Sequence, residues 1–250
     1  MIKVYIADLS GLENEYDEKL NMLHRSRADK LNSYKMSADK VRSLGAGLLL
    51  EKGLEDFLRS VDDMCLVKAV SKETQSSKMN CRGRFTLPKD AEGRYIIEYG
   101  YGPQGKPYFK DYPDIHFSLS HSGKIAVLAL ADSEVGIDVQ EFRGFQEKVA
   151  KRFYHEEEYK ILEAVSEAEA KEMLFYKIWT CKEGYIKYTG KGMGQDLRSF
   201  YYDAKREKVC NEEAELANCQ EIPLNTDNYF CSLVFHQNIK KIDKIIKLSL

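Results

Sequence analysis

Residues 166–188, SEAEAKEMLFYKIWTCKEGYIKY, constrain this chain more than any other stretch. Leu174, Ile178, Cys181 and Tyr185 recur at helical spacing and predict a buried stripe along one helix face. At about 100° per residue, Glu183 falls nearly opposite that stripe, with Trp179 and Lys187 one turn to either side. An indole, a carboxylate and an ammonium on one ridge fit a surface that meets something other than water. They equally fit an exposed helix with an i,i+4 Glu–Lys pair, worth about 0.2–0.5 kcal/mol.

The 250 residues suffice for a substantial core, in one domain or two smaller ones. A formal net charge of −2 gives no global basic field to attract nucleic acid or anionic membrane, although 38 Lys and Arg leave material for local patches. No apolar run approaches the roughly 20 residues that span a bilayer. The opening MIKVYIADLSG alternates Ile2, Val4 and Ile6 as a strand does, which is not a signal peptide pattern. Cys65, Cys81, Cys181, Cys210, Cys219 and Cys231 form neither a C-x-x-C pair nor a zinc-type Cys/His pattern. Reduced thiols in a cytoplasmic protein are expected, with Cys181 serving core packing.

A strand over 2–8 leads into helical sequence from Glu13 to Tyr34, which carries Arg25, Arg27 and Lys30. A second helix is expected from Ser37 or Ala38 to about Phe57, with Gly45 and Gly47 permitting close packing. Residues 71–93 read as a long polar excursion and 94–100 as a short strand. Ile115, Phe117 and Leu119 alternate with polar neighbours in a half-buried strand, Ser120 to Gly123 should turn, and 125–130 is a continuous apolar strand. In VGIDVQ, Val135, Ile137 and Val139 face one way and Gly136, Asp138 and Gln140 the other. Helices over 145–164 and 166–188 precede strands in FYYDAKREKVC and YFCSLVFH and a basic closing element, KKIDKIIKLSL. Elements of both types recur in each part of the chain, which predicts an α+β fold of two similar halves.

Acidic residues are disfavoured in strand interiors, so Asp138 calls for a reason. Either its face is simply polar, or it holds a hard cation, which takes one or two carboxylates and completes its shell with water and phosphate oxygens. Glu183 would be the second carboxylate. Ser120-His121-Ser122 offers hydroxyls, an imidazole and backbone N–H groups, suited to an anion site or to ordinary turn chemistry. Adjacent residues seldom make a Ser–His catalytic pair, which disfavours a hydrolase triad. Lys106 in a GKP turn, and Arg27, Lys30 and Arg42 on helices, are unremarkable singly. The glycine-rich TGKGMG lacks the spacing of an NTPase phosphate loop and follows a helix, unlike a dinucleotide fingerprint. A helix capped by Gly190 is the better account.

In order, YGPQGKPYF, FSLSHSG, VGIDVQ, KRFYHEEEY and FYKIWTCKEGYIKYTGKGMG resemble the 4′-phosphopantetheinyl transferases of the Sfp-like class. Typical marks of that class are a GKP turn, a SHS strand end, a GIDxE strand and a W-x-x-KE-x-x-x-K-x-x-GxG helix. The resemblance runs from Tyr101 to Phe200 and more weakly back to Arg25. It implies a pseudo-twofold pair of α/β subdomains, here 1–131 and 132–250, with the active site at their interface. It also implies transfer of 4′-phosphopantetheine from coenzyme A to a serine of an apo acyl or peptidyl carrier protein, releasing adenosine 3′,5′-bisphosphate.

By matching positions, Asp138, Glu183 and Lys187 would be catalytic. Asp138, Gln140 and Glu183 would hold Mg2+, with Mn2+ an alternative, and Glu183 would help orient or deprotonate the serine. Lys182 and Lys187 would contact phosphates, and Ser43, Lys106, Ser120 and His121 the nucleotide end. Arg27, Lys30 and Arg42 fall where the class places basic residues for the 3′-phosphate, and Trp179 would pack at the base of the site. A cytoplasmic monomer is expected, with no nucleic-acid or membrane partner. One position departs from the pattern: Gln140 stands where the class has a third acidic ligand. The departure implies weaker Mg2+ binding or a shift of base duty to Glu183, and leaves open a catalytically impaired homologue that binds coenzyme A or carrier without turnover. The 71–93 segment is longer than the class pattern and is a candidate for contact with the carrier.

Overall fold

The computed structural model describes residues 1–23, 25–32, 36–71 and 87–250. Strand β1 (Ile2–Asp8) and a 3-10 turn at Leu12–Glu15 lead to two short helices, α1 (Tyr16–Leu20) and α2 (Arg25–Asn32), and a long one, α3 (Ser37–Ser71). A small hairpin of β2 (Tyr99–Tyr101) and β3 (Pro107–Phe109) precedes β4 (His116–Ser122), β5 (Ile125–Ala131) and β6 (Val135–Glu141). Helices α4 (Glu147–Phe153), α5 (Glu156–Ala164) and α6 (Ala168–Thr189) follow. The chain ends in β7 (Tyr201–Asp203), β8 (Lys208–Cys210), β9 (Glu215–Glu221), β10 (Tyr229–Phe235) and β11 (Lys244–Lys247).

The larger sheets run β11-β1-β5-β4 and β6-β10-β9-β8-β7. One pattern, β1-β5-β4 and then β6-β10-β9, recurs with antiparallel neighbours throughout. The fold is α+β, and this recurrence is the similarity of halves read from the sequence. The chain passes from one sheet to the other just after Ala131, between β5 and β6. The closing element then returns to the first sheet, where β11 pairs parallel with β1 from Lys3↔Lys244 to Ile6↔Lys247.

Side-chain alternation sorts the faces. Ile2, Val4 and Ile6 share one core with Val127, Ala129, Val135, Ile137, Val139 and Leu233, drawn from both sheets. The other face of the first sheet, with Tyr5 and Leu128, meets Leu49, Leu50, Leu54 and Phe57 of α3. The other face of the second, with Ala217 and Val234, meets Phe175, Ile178 and Cys181 of α6. Burying each large apolar side chain contributes about 1.5–3 kcal/mol, so the alternation dictates which way each strand turns.

Strands β4 and β6 are edges of separate sheets, and serine hydroxyls join them. The Oγ atoms of Ser118, Ser120 and Ser122 accept from the backbone N–H groups of Ile137 (3.0 Å), Val139 (3.4 Å) and Glu141 (3.0 Å). Side chains stand in for a strand ladder here, and buried donors of β6 stay satisfied.

Several sequence expectations differ from the structure. The helical run from Glu13 breaks into a 3-10 turn, α1 and α2, and the second helix continues well past Phe57 to Ser71. Of 94–100, only Tyr99 and Gly100 lie in a strand, while Tyr95 makes a single bridge to Lys89. Strand β4 runs through His121 and Ser122, and the turn begins at Gly123. Strand β9 carries little signal, because its buried residues, Ala217 and Cys219, are small. Most of the 71–93 excursion lies outside the described residues.

Candidate active site

The contact of β6 with α6 builds the site. Gly136 lies directly against the helix backbone at Gly184, so the strand and helix approach more closely than side chains would allow. Two residues along β6 stands Asp138, and on the helix Glu183 and Lys187 flank the contact. Asp138 is buried, at 2% exposure, on the strand face predicted for it. Its Oδ1 accepts from Lys187 Nζ at 2.7 Å and Ser120 Oγ at 2.7 Å, and its Oδ2 accepts from Gln140 Nε2 at 3.0 Å. Glu183 is half-buried beside them. Burial, and then repulsion by Asp138, raise its carboxyl pKa above the ordinary value, opposed by Lys187.

Lys187 forms one wall of a cavity of about 820 Å³. Arg27, Ser43, Lys106 and His121 reach the same cavity from α2, α3, the 102–107 turn and β4. Arg27 gets there across Gly47, where any Cβ would meet its Nε at 2.7 Å, and its Nη1 donates to Tyr99 Oη at 3.5 Å. Crowding of the imidazole, and then the charges of Arg42 and Lys187, lower the His121 pKa, which favours the neutral ring. Lys106 lines the cavity with its head engaged: its ammonium pairs with Glu134 and donates to the Tyr188 carbonyl at 3.1 Å. Lys106 and His116 together depress the Glu134 carboxyl to about 2, against the burial that would raise it.

Helix α6 ends at Gly190 in the left-handed region, as the sequence predicts, and Gly190 and Gly192 then join the cavity wall beside Lys106 and Gln104. The glycine-rich stretch thus serves the site without being a phosphate loop. Tyr99, Tyr101, Phe117 and Leu119 line the rest of the wall together with the polar Glu98, Lys110 and Ser118. Sequence reading passed over these residues; the aromatic YGY beside the GKP turn was the available signal.

Other predicted residues lie elsewhere. Lys182 does not reach this cavity. It is fully buried on the far side of α6, 2.7 Å from Glu158, and donates to the carbonyls of Leu197 and Phe200 at 2.8 Å each. Burial pushes the Lys182 pKa down and the Glu158 pKa up, and their mutual contact opposes both shifts. Ser120 is 7% exposed beneath Asp138 and is absent from the cavity wall. Arg42 pairs with Asp39. The side chain of Lys30 lies outside the described residues. Trp179 packs on Phe153 and Phe175 and lines a second cavity of about 180 Å³ together with Gln140 and Ser122.

Asp138 and Glu183 supply the oxygen ligands that hard divalent cations take, and their mutual repulsion is what a bound cation would relieve. Gln140 turns its amide nitrogen toward Asp138, as it must, since a carboxylate only accepts. Its carbonyl oxygen is the atom left to serve a metal. Among the described residues, no group of three or more His, Cys, Asp or Glu gathers as a metal site. Among them, too, no helix is long and apolar enough to cross a membrane.

Residues 134–234 match the family model of the 4′-phosphopantetheinyl transferase superfamily. The chain is 43% identical over 96 residues to 4′-phosphopantetheinyl transferase psf-1 of Bacillus pumilus, covering 38% of this chain and 41% of that one. It is 38% identical over 104 residues to 4′-phosphopantetheinyl transferase Sfp of Bacillus subtilis (strain 168), covering 42% and 46%. With 4′-phosphopantetheinyl transferase AcpT of Escherichia coli O157:H7 the identity is 34% over 134 residues, covering 51% of this chain and 68% of the relative. The chain thus spans less than half the length of the first two relatives and two thirds of the third.

Proposed function

This chain belongs to the 4′-phosphopantetheinyl transferase superfamily, and from that premise we propose that it transfers 4′-phosphopantetheine from coenzyme A to a carrier-protein serine in a Mg2+-dependent reaction. The observation that carries the reading is the cluster of Asp138, Glu183 and Lys187 at the edge of the cavity that Arg27 and His121 also line. That arrangement sets oxygen donors for a hard cation beside cationic and hydrogen-bonding groups for phosphates.

Phosphoryl transfer needs alignment and neutralisation of charge more than covalent help from the protein. Asp138 and Glu183 would hold Mg2+, with Gln140 contributing its carbonyl oxygen or a bound water. The ion would supply charge neutralisation on the pyrophosphate. Lys187 lines the cavity with its ammonium donating to Asp138, Ser120 and the Ile137 carbonyl, so it would face the phosphates as a fixed positive charge. Arg27 and His121 would bind the nucleotide's remaining phosphate, and the Tyr99 and Tyr101 wall its base. Glu183 would also take the proton of the attacking serine, directly or through a bound water. The serine Oγ–phosphorus bond forms as the bond to the bridging pyrophosphate oxygen breaks. That oxygen keeps the electron pair and leaves with adenosine 3′,5′-bisphosphate.

Intact mass of several apo carrier proteins, after incubation with the protein, coenzyme A and Mg2+, tests this. A gain of one phosphopantetheine, lost with Glu183→Ala and with chelator, is the expected result. No gain on any carrier, with measurable coenzyme A binding, would replace it by the non-catalytic binding homologue that Gln140 leaves open.

A further inference from the structure

Ser120 falls in the SHS stretch, where the family resemblance implies a nucleotide contact, yet the structure gives its hydroxyl different work. A serine hydroxyl has one proton and two acceptor positions. Here Lys187 Nζ donates to Ser120 Oγ at 2.9 Å and Val139 N donates at 3.4 Å, which fills both acceptor positions. Both of those partners are donors only, so the single proton goes to Asp138 Oδ1 at 2.7 Å. No capacity remains for a phosphate oxygen. The residue is buried, and its neighbours Leu119 and His121 reach the cavity wall while it does not.

Its neighbours on the seam sharpen the point. Ser118 and Ser122 each accept one backbone N–H of β6, and so does Ser120. Only for Ser120, among these three, does the structure record bonds to Asp138 and Lys187 as well. The seam that joins the two sheets therefore carries, at its middle rung, the orientation of the site's carboxylate. Ser120 and Lys187 both fasten Oδ1, and Gln140 engages Oδ2 from the other side.

We propose that Ser120 is a positioning residue, whose hydroxyl fixes the Asp138 carboxylate and the Lys187 ammonium relative to one another so that Asp138 presents Oδ2 to a divalent cation. The inference rests on the metal-dependent reading above and deepens it. Loss of a hydrogen bond that orients a metal ligand typically weakens metal binding about 10–100-fold.

Two binding measurements on the intact chain test it without turnover: Mn2+ by electron paramagnetic resonance, and adenosine 3′,5′-bisphosphate by calorimetry in metal-free buffer. Ser120→Ala is expected to weaken Mn2+ binding about 10–100-fold and to leave nucleotide affinity unchanged. Ser122→Ala, which removes a rung of the same seam without touching Asp138, is expected to leave Mn2+ binding unchanged. A nucleotide defect in Ser120→Ala with normal Mn2+ binding would overturn the inference and restore Ser120 as a nucleotide contact. Equal Mn2+ losses in both variants would overturn it in favour of general seam damage. If Ser120→Ala does not fold, the near-isosteric Ser120→Cys carries the same expectation and the same refutations. A wild-type chain that binds nucleotide but no Mn2+ would overturn the metal reading and this inference with it, whereas Mn2+ binding unaffected at Ser120 would overturn this inference alone.

Discussion

Gly136 and Gly184 meet backbone to backbone: a Cβ built at Gly136 would lie 2.0 Å from the Gly184 carbonyl oxygen and 2.4 Å from the Tyr188 nitrogen. This contact sets how far Asp138 stands from Glu183 and Lys187, because all three lie within four residues of it along rigid elements. Backbone atoms cannot rotate aside, so a methyl group at 136 must move the whole helix or strand.

Gly136→Ala is therefore expected to cost at least the ~1–3 kcal/mol typical of overpacking. It should lower Tm by about 2–4 °C per kcal/mol in a chain of this size, and activity should fall further than stability alone accounts for. Gly184→Ala is tight only against the Val234 methyl at 3.0 Å, with the Gly136 and Ser232 carbonyl oxygens at an ordinary 3.6 Å. Its gain in helix propensity, about 0.8–1.0 kcal/mol, offsets that contact. Thermal unfolding of the two variants should rank them clearly; equal losses would show that the close approach is not what holds the elements.

Lys182 and Glu158 make the second test. Removing one partner of a buried ion pair typically costs about 3–5 kcal/mol, so Lys182→Met should be strongly destabilised. Glu158 would keep its bonds from the backbone N–H groups of His155 and Tyr202 but lose its counter-charge. Because Lys182 is remote from the cavity, the folded variant should bind adenosine 3′,5′-bisphosphate as the wild type does. A calorimetric titration well below the variant's Tm decides this, and a loss of nucleotide affinity there would return Lys182 to the phosphate site.

His121 gives a pH prediction. Its pKa is lowered in the folded chain by crowding of the partly exposed imidazole, and then by Arg42 and Lys187, so the unfolded state, near 6.5, takes up the proton first as pH falls. The stability linked to His121 is thus complete above about pH 6.5 and is lost as pH falls through the depressed folded value. Arg42→Ala removes one of the opposing charges and should move the imidazole pKa upward. Heteronuclear NMR titration of the ring in the two proteins measures the shift directly; an unchanged pKa would mean that Arg42 takes no part in setting it.

The helix–strand pairing at this site was legible because the periods are distinct. Spacing of two put Asp138 opposite Val135, Ile137 and Val139, and helical spacing put Glu183 and Lys187 on one ridge. What spacing could not tell was which lysine of α6 meets the cavity. Lys182 and Lys187 differ through Glu158, Leu197 and Phe200, partners supplied by tertiary packing far along the chain. The same limit hid the work of Ser120, whose partners lie on another strand and another helix. Strand β9 escaped because Ala217 and Cys219 bury too little surface to mark a face. In α6 the apolar stripe understated burial: Phe175, Tyr176, Thr180 and Lys182 are enclosed as well, since the helix packs on a sheet on one side and on α5 and the 197–200 segment on the other.

Gln140 is where the sequence departs from the family pattern, and its geometry says what reversing the departure should do. Its amide nitrogen donates to Asp138 Oδ2 at 3.0 Å. Glutamate at this position has only acceptors, so without metal it would face the Asp138 carboxylate across the same gap and lose that bond. With a cation present, the same carboxylate becomes a third anionic oxygen ligand. Gln140→Glu should therefore lower Tm in chelator and raise it in saturating Mg2+, widening the metal-induced difference relative to the wild type. Each tenfold gain in affinity adds about 1.4 kcal/mol of metal-linked stability at a fixed saturating concentration. For a chain of this size that corresponds to roughly 3–6 °C. Paired thermal unfolding curves with chelator and with Mg2+ read both signs at once. The same metal-induced shift in both proteins would mean that residue 140 lies outside the metal's reach, and that Asp138 and Glu183 hold it without help.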